Sequence, residues 1–116
     1  MKKKKEVKIF LSKKNQWKKF KYKDSEILFK GYIFGINRNR LKEELIKNLI
    51  VKKNWNFFKK NYGNFSIILK NNKSIFLISD NARSYPLYYY KLDENILISD
   101  FIENIKENVS GLEINK

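Results

Sequence analysis

Pro86 is the only proline in this chain of 116 residues, and it stands between two runs that read as strands. Before it, Ile75-Phe-Leu-Ile-Ser79 is apolar and ends at Asp80; after it, Leu87-Tyr-Tyr-Tyr90 is aromatic. Proline lacks the N–H that a central strand needs, so it belongs at the start of an edge strand or just ahead of one. An acid leaving one strand, a turn, and a proline leading into the next therefore fix two strands and the path between them. Asp80 is expected to cap the turn through the backbone N–H groups that follow it. Arg83, inside the turn, is expected to pair with Asp80 or another surface acid. Tyr88 and Tyr90 fall on one face of the second strand and Tyr89 on the other.

The period of two recurs elsewhere. Residues 7–11 read as a short strand. From Lys19 onward, Lys19, Lys21 and Lys23 alternate with Phe20 and Tyr22, the pattern of a half-buried strand. Asp24-Ser25 reads as a turn. Residues 26–34 read as a strong strand with Gly31 inside it, which predicts a bulge or a close backbone approach. Lys30 in that apolar run calls for a sheet edge or for a partner at a site. Residues 65–69 and Ile75–Ser79 form a hairpin around residues 70–73, and Leu87 to Tyr90 pairs with Ile96 to Ser99. The period becomes helical over residues 41–50, where Leu41, Leu45 and Leu49 with Ile46 and Ile50 make one stripe. Residues 55–62 read as a second short helix stopped by Gly63. Phe101, Ile102, Ile105 and Val109 mark a third, with Asp100 as its N-cap. Helices inserted among strands predict an α+β fold, mostly antiparallel, with two or three helices.

Composition removes whole classes of chemistry. The chain has no cysteine, so it has no disulfide, thiolate metal site or cysteine nucleophile, and no histidine, the commonest general base and metal ligand. No metal or cofactor is expected. No apolar run is long enough to span a membrane. Met1 and the lysines after it resemble the start of a signal peptide, but the apolar segment that follows is short and broken by Lys8, so the expected compartment is the cytoplasm. The net charge is +14, from 26 basic and 12 acidic residues. That excess suits a nucleic-acid partner. It suits an AT-rich genome better, since Asn and Ile are abundant and nearly all the basic residues are lysine, with arginine, the better phosphate reader, scarce. Lys19, Lys21 and Lys23 are the candidate nucleic-acid contacts. Their alternation with Phe20 and Tyr22, however, sends the aromatics to the opposite face.

The order of motifs carries further information. Lys30-Gly-Tyr-Ile-Phe-Gly35 comes first, then a helix with Leu41 and Glu44-Leu45. Gly63-Asn-Phe-Ser-Ile67 follows, then Leu77-Ile-Ser-Asp80 through Pro86-Leu-Tyr-Tyr89, and last Leu97-Ile-Ser-Asp100. Over residues 27–108 this order resembles the glutaminase domain of the asparagine synthetase family, class II glutamine amidotransferases of the N-terminal nucleophile hydrolase fold. The matching segments of that family are Asn-Gly-Glu-Ile-Tyr-Asn, Gly-x-Phe-Ala, Arg-Asp-x-x-Gly-x-x-Pro-Leu-Tyr-Tyr and Ala-Ser-Glu. The resemblance implies a reduced αββα-type sandwich over residues 6–109. A basic tail, 1–5, precedes it, and an exit segment, 110–116, lies about where the family's ATP-dependent synthetase domain begins.

The departures fall on the chemistry. The family's nucleophile is an N-terminal cysteine, and here Met1 is followed by Lys2. Its oxyanion hole uses the Asn and Gly of Asn-Gly-Glu, positions held here by Lys30 and Gly31. Its Asp-Thr-Glu grip on glutamine has no counterpart, since residues 50–60 contain no acid. The glycine of its turn is Arg83. The resemblance thus implies a catalytically silent domain with no catalytic residue. Lys30 and Gly31 would be a vestigial oxyanion region, and Asp80, Arg83 and Pro86 a structural turn. Its partner would be an asparagine-synthetase-type amide ligase, in the same chain or another. The alternative is a small basic nucleic-acid-binding module.

Overall fold

The computed structural model describes residues 7–12, 16–54, 63–80, 85–92 and 95–113. Along them run β1 (Val7–Phe10), β2 (Lys18–Tyr22), β3 (Ser25–Ile33), α1 (Arg38–Leu45) with a π-helical continuation (Ile46–Val51), β4 (Gly63–Lys70), β5 (Ile75–Ser79), β6 (Tyr88–Leu92), β7 (Asn95–Ser99) and α2 (Ile102–Glu113). The fold is mixed α+β with two sheets, and four of the five strand pairings are antiparallel. The chain divides into two compact units, one of residues Asn15–Tyr85 and one that joins Met1–Lys14 to Pro86–Lys116. The basic tail, the helix expected over residues 55–62 and Arg83 lie outside the described residues. No helix among the described residues is long and apolar enough to cross a membrane.

The first unit is a four-stranded antiparallel sheet in the order β2-β3-β4-β5. Tyr22 stands opposite Ser25, so the first hairpin turns through Lys23-Asp24 rather than Asp24-Ser25. Lys23 takes a φ of 52° to make that turn. Between β3 and β4 the register runs unbroken from Glu26 opposite Lys70 to Ile33 opposite Gly63. There is no bulge, so Gly31 serves the other expected purpose. Its φ is +108°, and a Cβ there would lie 1.9 Å from the Asn64 carbonyl oxygen.

One face of this sheet presents Ile27, Phe29 and Ile33 beside Phe65, Ile67 and Leu69, and Leu41, Leu45 and Leu49 of the helix cover them. The Phe29 and Phe65 rings stack with centroids 6.5 Å apart. Each such buried side chain contributes about 1.5–3 kcal/mol relative to exposure. Phe20 packs on the same cluster from β2. The reverse face buries Ser66 and Ile68 as well, so the sheet is enclosed on both sides in its centre.

The helix begins at Arg38, earlier than its apolar stripe suggests, and Asn37 makes no side-chain cap. After Leu45 it widens into a π-helical turn. There Lys52 N–H reaches back to the Lys47 carbonyl at 2.9 Å. Buried Asn48 adds a competing bond in that turn. Its Nδ2 donates to the Glu44 carbonyl at 2.8 Å, the acceptor its own N–H would use in an α-helix.

In the second unit β7 is central, parallel to β1 and antiparallel to β6. β6 is an edge, and Pro86 lies just ahead of it, as its ring requires. α2 continues to Glu113, beyond the expected last turn. Asp100, the expected N-cap, stands two residues before the first helical residue. Ser99 Oγ accepts from Phe101 N–H and Asn104 Nδ2, both at 3.0 Å. Asp100 Oδ1 instead accepts from the N–H and hydroxyl of Ser12, at 2.9 and 3.1 Å, extending the β1–β7 pairing past its last residues.

Candidate functional site

β3 is an interior strand, so Lys30 does not lie at a sheet edge. It stands opposite Ser66, on the reverse face from the helix. Half-buried, it carries its Nζ 4.8 Å from the centroid of the Tyr85 ring and 6.0 Å from that of Trp17, which is itself buried. A lysine in an apolar strand is accommodated here by two ring faces, whose negative quadrupoles attract the ammonium. The aliphatic stem covers the sheet while the head meets the rings.

Ser66 and Asp80 fix the surroundings of that ammonium. The Ser66 hydroxyl, fully buried, donates to the Tyr85 carbonyl. Asp80 is buried too; its Oδ2 accepts from Phe65 N–H at 2.8 Å, and its own N–H donates to the Phe65 carbonyl at 3.2 Å. The carboxylate thus replaces the main-chain carbonyl that would continue the β4–β5 ladder, which ends the pairing there. Because both polar groups of Phe65 point to Asp80, Gly31 opposite Phe65 is in the narrow, non-hydrogen-bonded pairing. Gly63 belongs to the same contact: a Cβ on it would lie 2.3 Å from the Tyr32 carbonyl oxygen.

Three segments distant in sequence therefore meet: Lys30-Gly31, Gly63 to Ser66, and the two ends of the turn from Asp80 to Tyr85. The expectation for Asp80 placed its bonds in the turn; the bonds described here go across to β4. The chemistry available is that of a tether. Ser66 has no exposure for attack on a substrate, and its proton is committed to Tyr85. Trp17, Ser66 and Tyr85 were not singled out from the sequence. Only the serine beside Phe65, in a motif already noted, offered a signal.

The lysines of β2 separate from one another. Lys19 and Lys21 share the reverse face, but Lys19 Nζ lies 3.6 Å from Glu26, and Lys21 stands directly opposite the same glutamate. Lys23 has left the strand for the turn, with its Nζ 5.4 Å from the Tyr22 ring centroid. Phe20 points to the helix side. Within β2, Lys19 and Lys21 therefore lie on the opposite face from Phe20 and Tyr22. Among the described residues no group of three or more Asp, Glu, His or Cys side chains is placed to hold a metal ion. No family model, curated protein or solved structure matches this chain.

Proposed function

We propose that this chain is a catalytically silent glutaminase-like domain of the asparagine synthetase type, a reduced αββα sandwich that supports or docks an ATP-dependent amide ligase. The supporting observation is the convergence just described. Three of the segments that carry the resemblance, Lys30-Gly31, Gly63 to Ser66 and Asp80, adjoin one another, and the polar side chains among them are engaged in structural hydrogen bonds. A helix on one side of a sheet whose reverse face is also buried suits one half of such a sandwich. Lys30, where the family has its oxyanion asparagine, has its ammonium over two aromatic rings, and Gly31 is held by the Asn64 backbone.

Two measurements test this reading. Incubation with glutamine is expected to release no glutamate; turnover would refute silence. Co-expression with the amide ligase whose reading frame adjoins or continues this one, recognised by a Ser-Gly-Gly-x-Asp-Ser phosphate loop, is expected to yield a stable complex. Separate elution of the two proteins would count against docking.

A further inference from the structure

At the opposite end of the four-stranded sheet from Lys30 and Gly31, a cleft of about 140 Å³ opens on the helix side. Its apolar wall is Leu49, Ile50, Leu69 and Phe76. An apolar cavity of about 150 Å³ is sufficient to bind benzene. Phe76 is 40% exposed at this wall.

The polar lining is Lys53, Asn71, Ser25 and Ser74. Lys53 lines the cleft and has no acidic partner among the described residues. Asn71 also lines it. Its Oδ1 is fully used, accepting from Lys73 N–H and Ser74 N–H at 2.8 Å each and from the Ser74 hydroxyl at 3.3 Å. That fixes the orientation of the amide and leaves its NH₂ as the group available for a ligand. The Ser25 hydroxyl lies on the same rim. A benzene-sized apolar wall, a cation and two neutral donors together match a small carboxylate with an aromatic or branched body.

The backbone at the cleft is built at a cost. Lys53 adopts a φ of 51°, a conformation disfavoured for every residue with a Cβ. It lies just past Lys52, the C-cap of the π-helical turn Ile46–Val51. Strained residues and π-turns both concentrate at ligand sites. Leu49 and Ile50, both within that turn, line the cleft.

We propose that this cleft binds a small organic carboxylate of about benzoate size, with Lys53 and Asn71 holding the carboxylate and Leu49, Leu69 and Phe76 the apolar body. The site is separate from the Lys30 cluster and stands whether or not the chain supports a ligase. The test is titration of the ¹⁵N-labelled full chain with benzoate and, as its cationic counterpart, benzylamine. Benzoate is expected to give saturable shifts at the amides of Leu49, Lys53, Asn71 and Ser74, and benzylamine to bind at least about tenfold more weakly. Lys53→Gly removes the ammonium while relieving the backbone, so it keeps the fold; its benzoate affinity is expected to fall about tenfold. Lys53→Arg is expected to retain binding. The proposal is overturned by any of three results: no saturable response at about 20 mM benzoate, far above a millimolar Kd; equal binding of benzylamine; or undiminished binding by Lys53→Gly.

Discussion

Gly31 and Gly35 both have positive φ, at +108° and +85°, yet the two positions face different constraints. Around Gly35 nothing lies within 4 Å of an added Cβ, whereas at Gly31 the Asn64 carbonyl occupies its place. Gly35→Ala is expected to cost about 1–2 kcal/mol, the conformational term alone. Gly31→Ala adds a displacement of β4 backbone and is expected to cost roughly 3 kcal/mol or more. Urea denaturation of the two variants measures the difference, and equal losses would show that the strands tolerate a methyl between them. Asp80 is the second such residue. Asp80→Ala leaves the Phe65 N–H without its acceptor in a buried site and is expected to cost about 1–3 kcal/mol. Asp80→Asn keeps an oxygen for that N–H and is expected to lose less, as the denaturation midpoint would report.

The elements show the same economy of means. Leu-Ile-Ser-Asp occurs twice, as Leu77 to Asp80 and Leu97 to Asp100, ending β5 and β7. In both places the aspartate accepts a backbone N–H from the adjoining strand, Phe65 in one case and Ser12 in the other. The first serine is exposed; the second is buried and serves the start of α2. α1 is less well finished. Its first turn contains no acid, and Arg38 places positive charge at the positive end of the helix dipole. Arg40 is offset by Glu44 at 3.2 Å, an exposed pair of small value. Arg38→Glu is therefore expected to stabilise by about 0.5 kcal/mol, raising the melting temperature by about 2–4 °C. An unchanged melting curve would mean that this helix end is already solvated at no cost.

For the whole molecule, the charge of +14 is the property most open to misreading. A chain that neutralises several phosphates loses affinity steeply with salt. Lys19 is paired with Glu26, Lys21 stands opposite the same glutamate, and Phe20 between them packs on the core. Titration with single-stranded RNA is accordingly expected to show weak binding that the Lys19→Ala/Lys21→Ala variant leaves unchanged. A sharp loss in that variant would revive the nucleic-acid reading. Seven strands were legible in the sequence because alternation records which side of a sheet each residue faces, and each of the seven is present. The edge strand after Pro86 was legible for the same reason, since a missing N–H is a local fact.

Local pattern, then, determined the α+β class, the strands, the core stripe of the helix and the need for glycine at position 31. Only the tertiary structure decided which groups meet. Hydrogen bonds between positions far apart in the chain have no period. The clamp of Asp80 on Phe65, the pairing of Asp100 with Ser12, and the rings over Lys30 therefore left no trace in the sequence. The π-turn was hidden for a related reason. Within it one buried amide, Asn48, competes for a carbonyl, and that competition is won only where the core has already fixed the side chain. Leu49 and Ile50 of that turn line the cleft at Lys53, and burial of Asn48 and Leu49 holds the helix end in one geometry among several that the sequence alone permits.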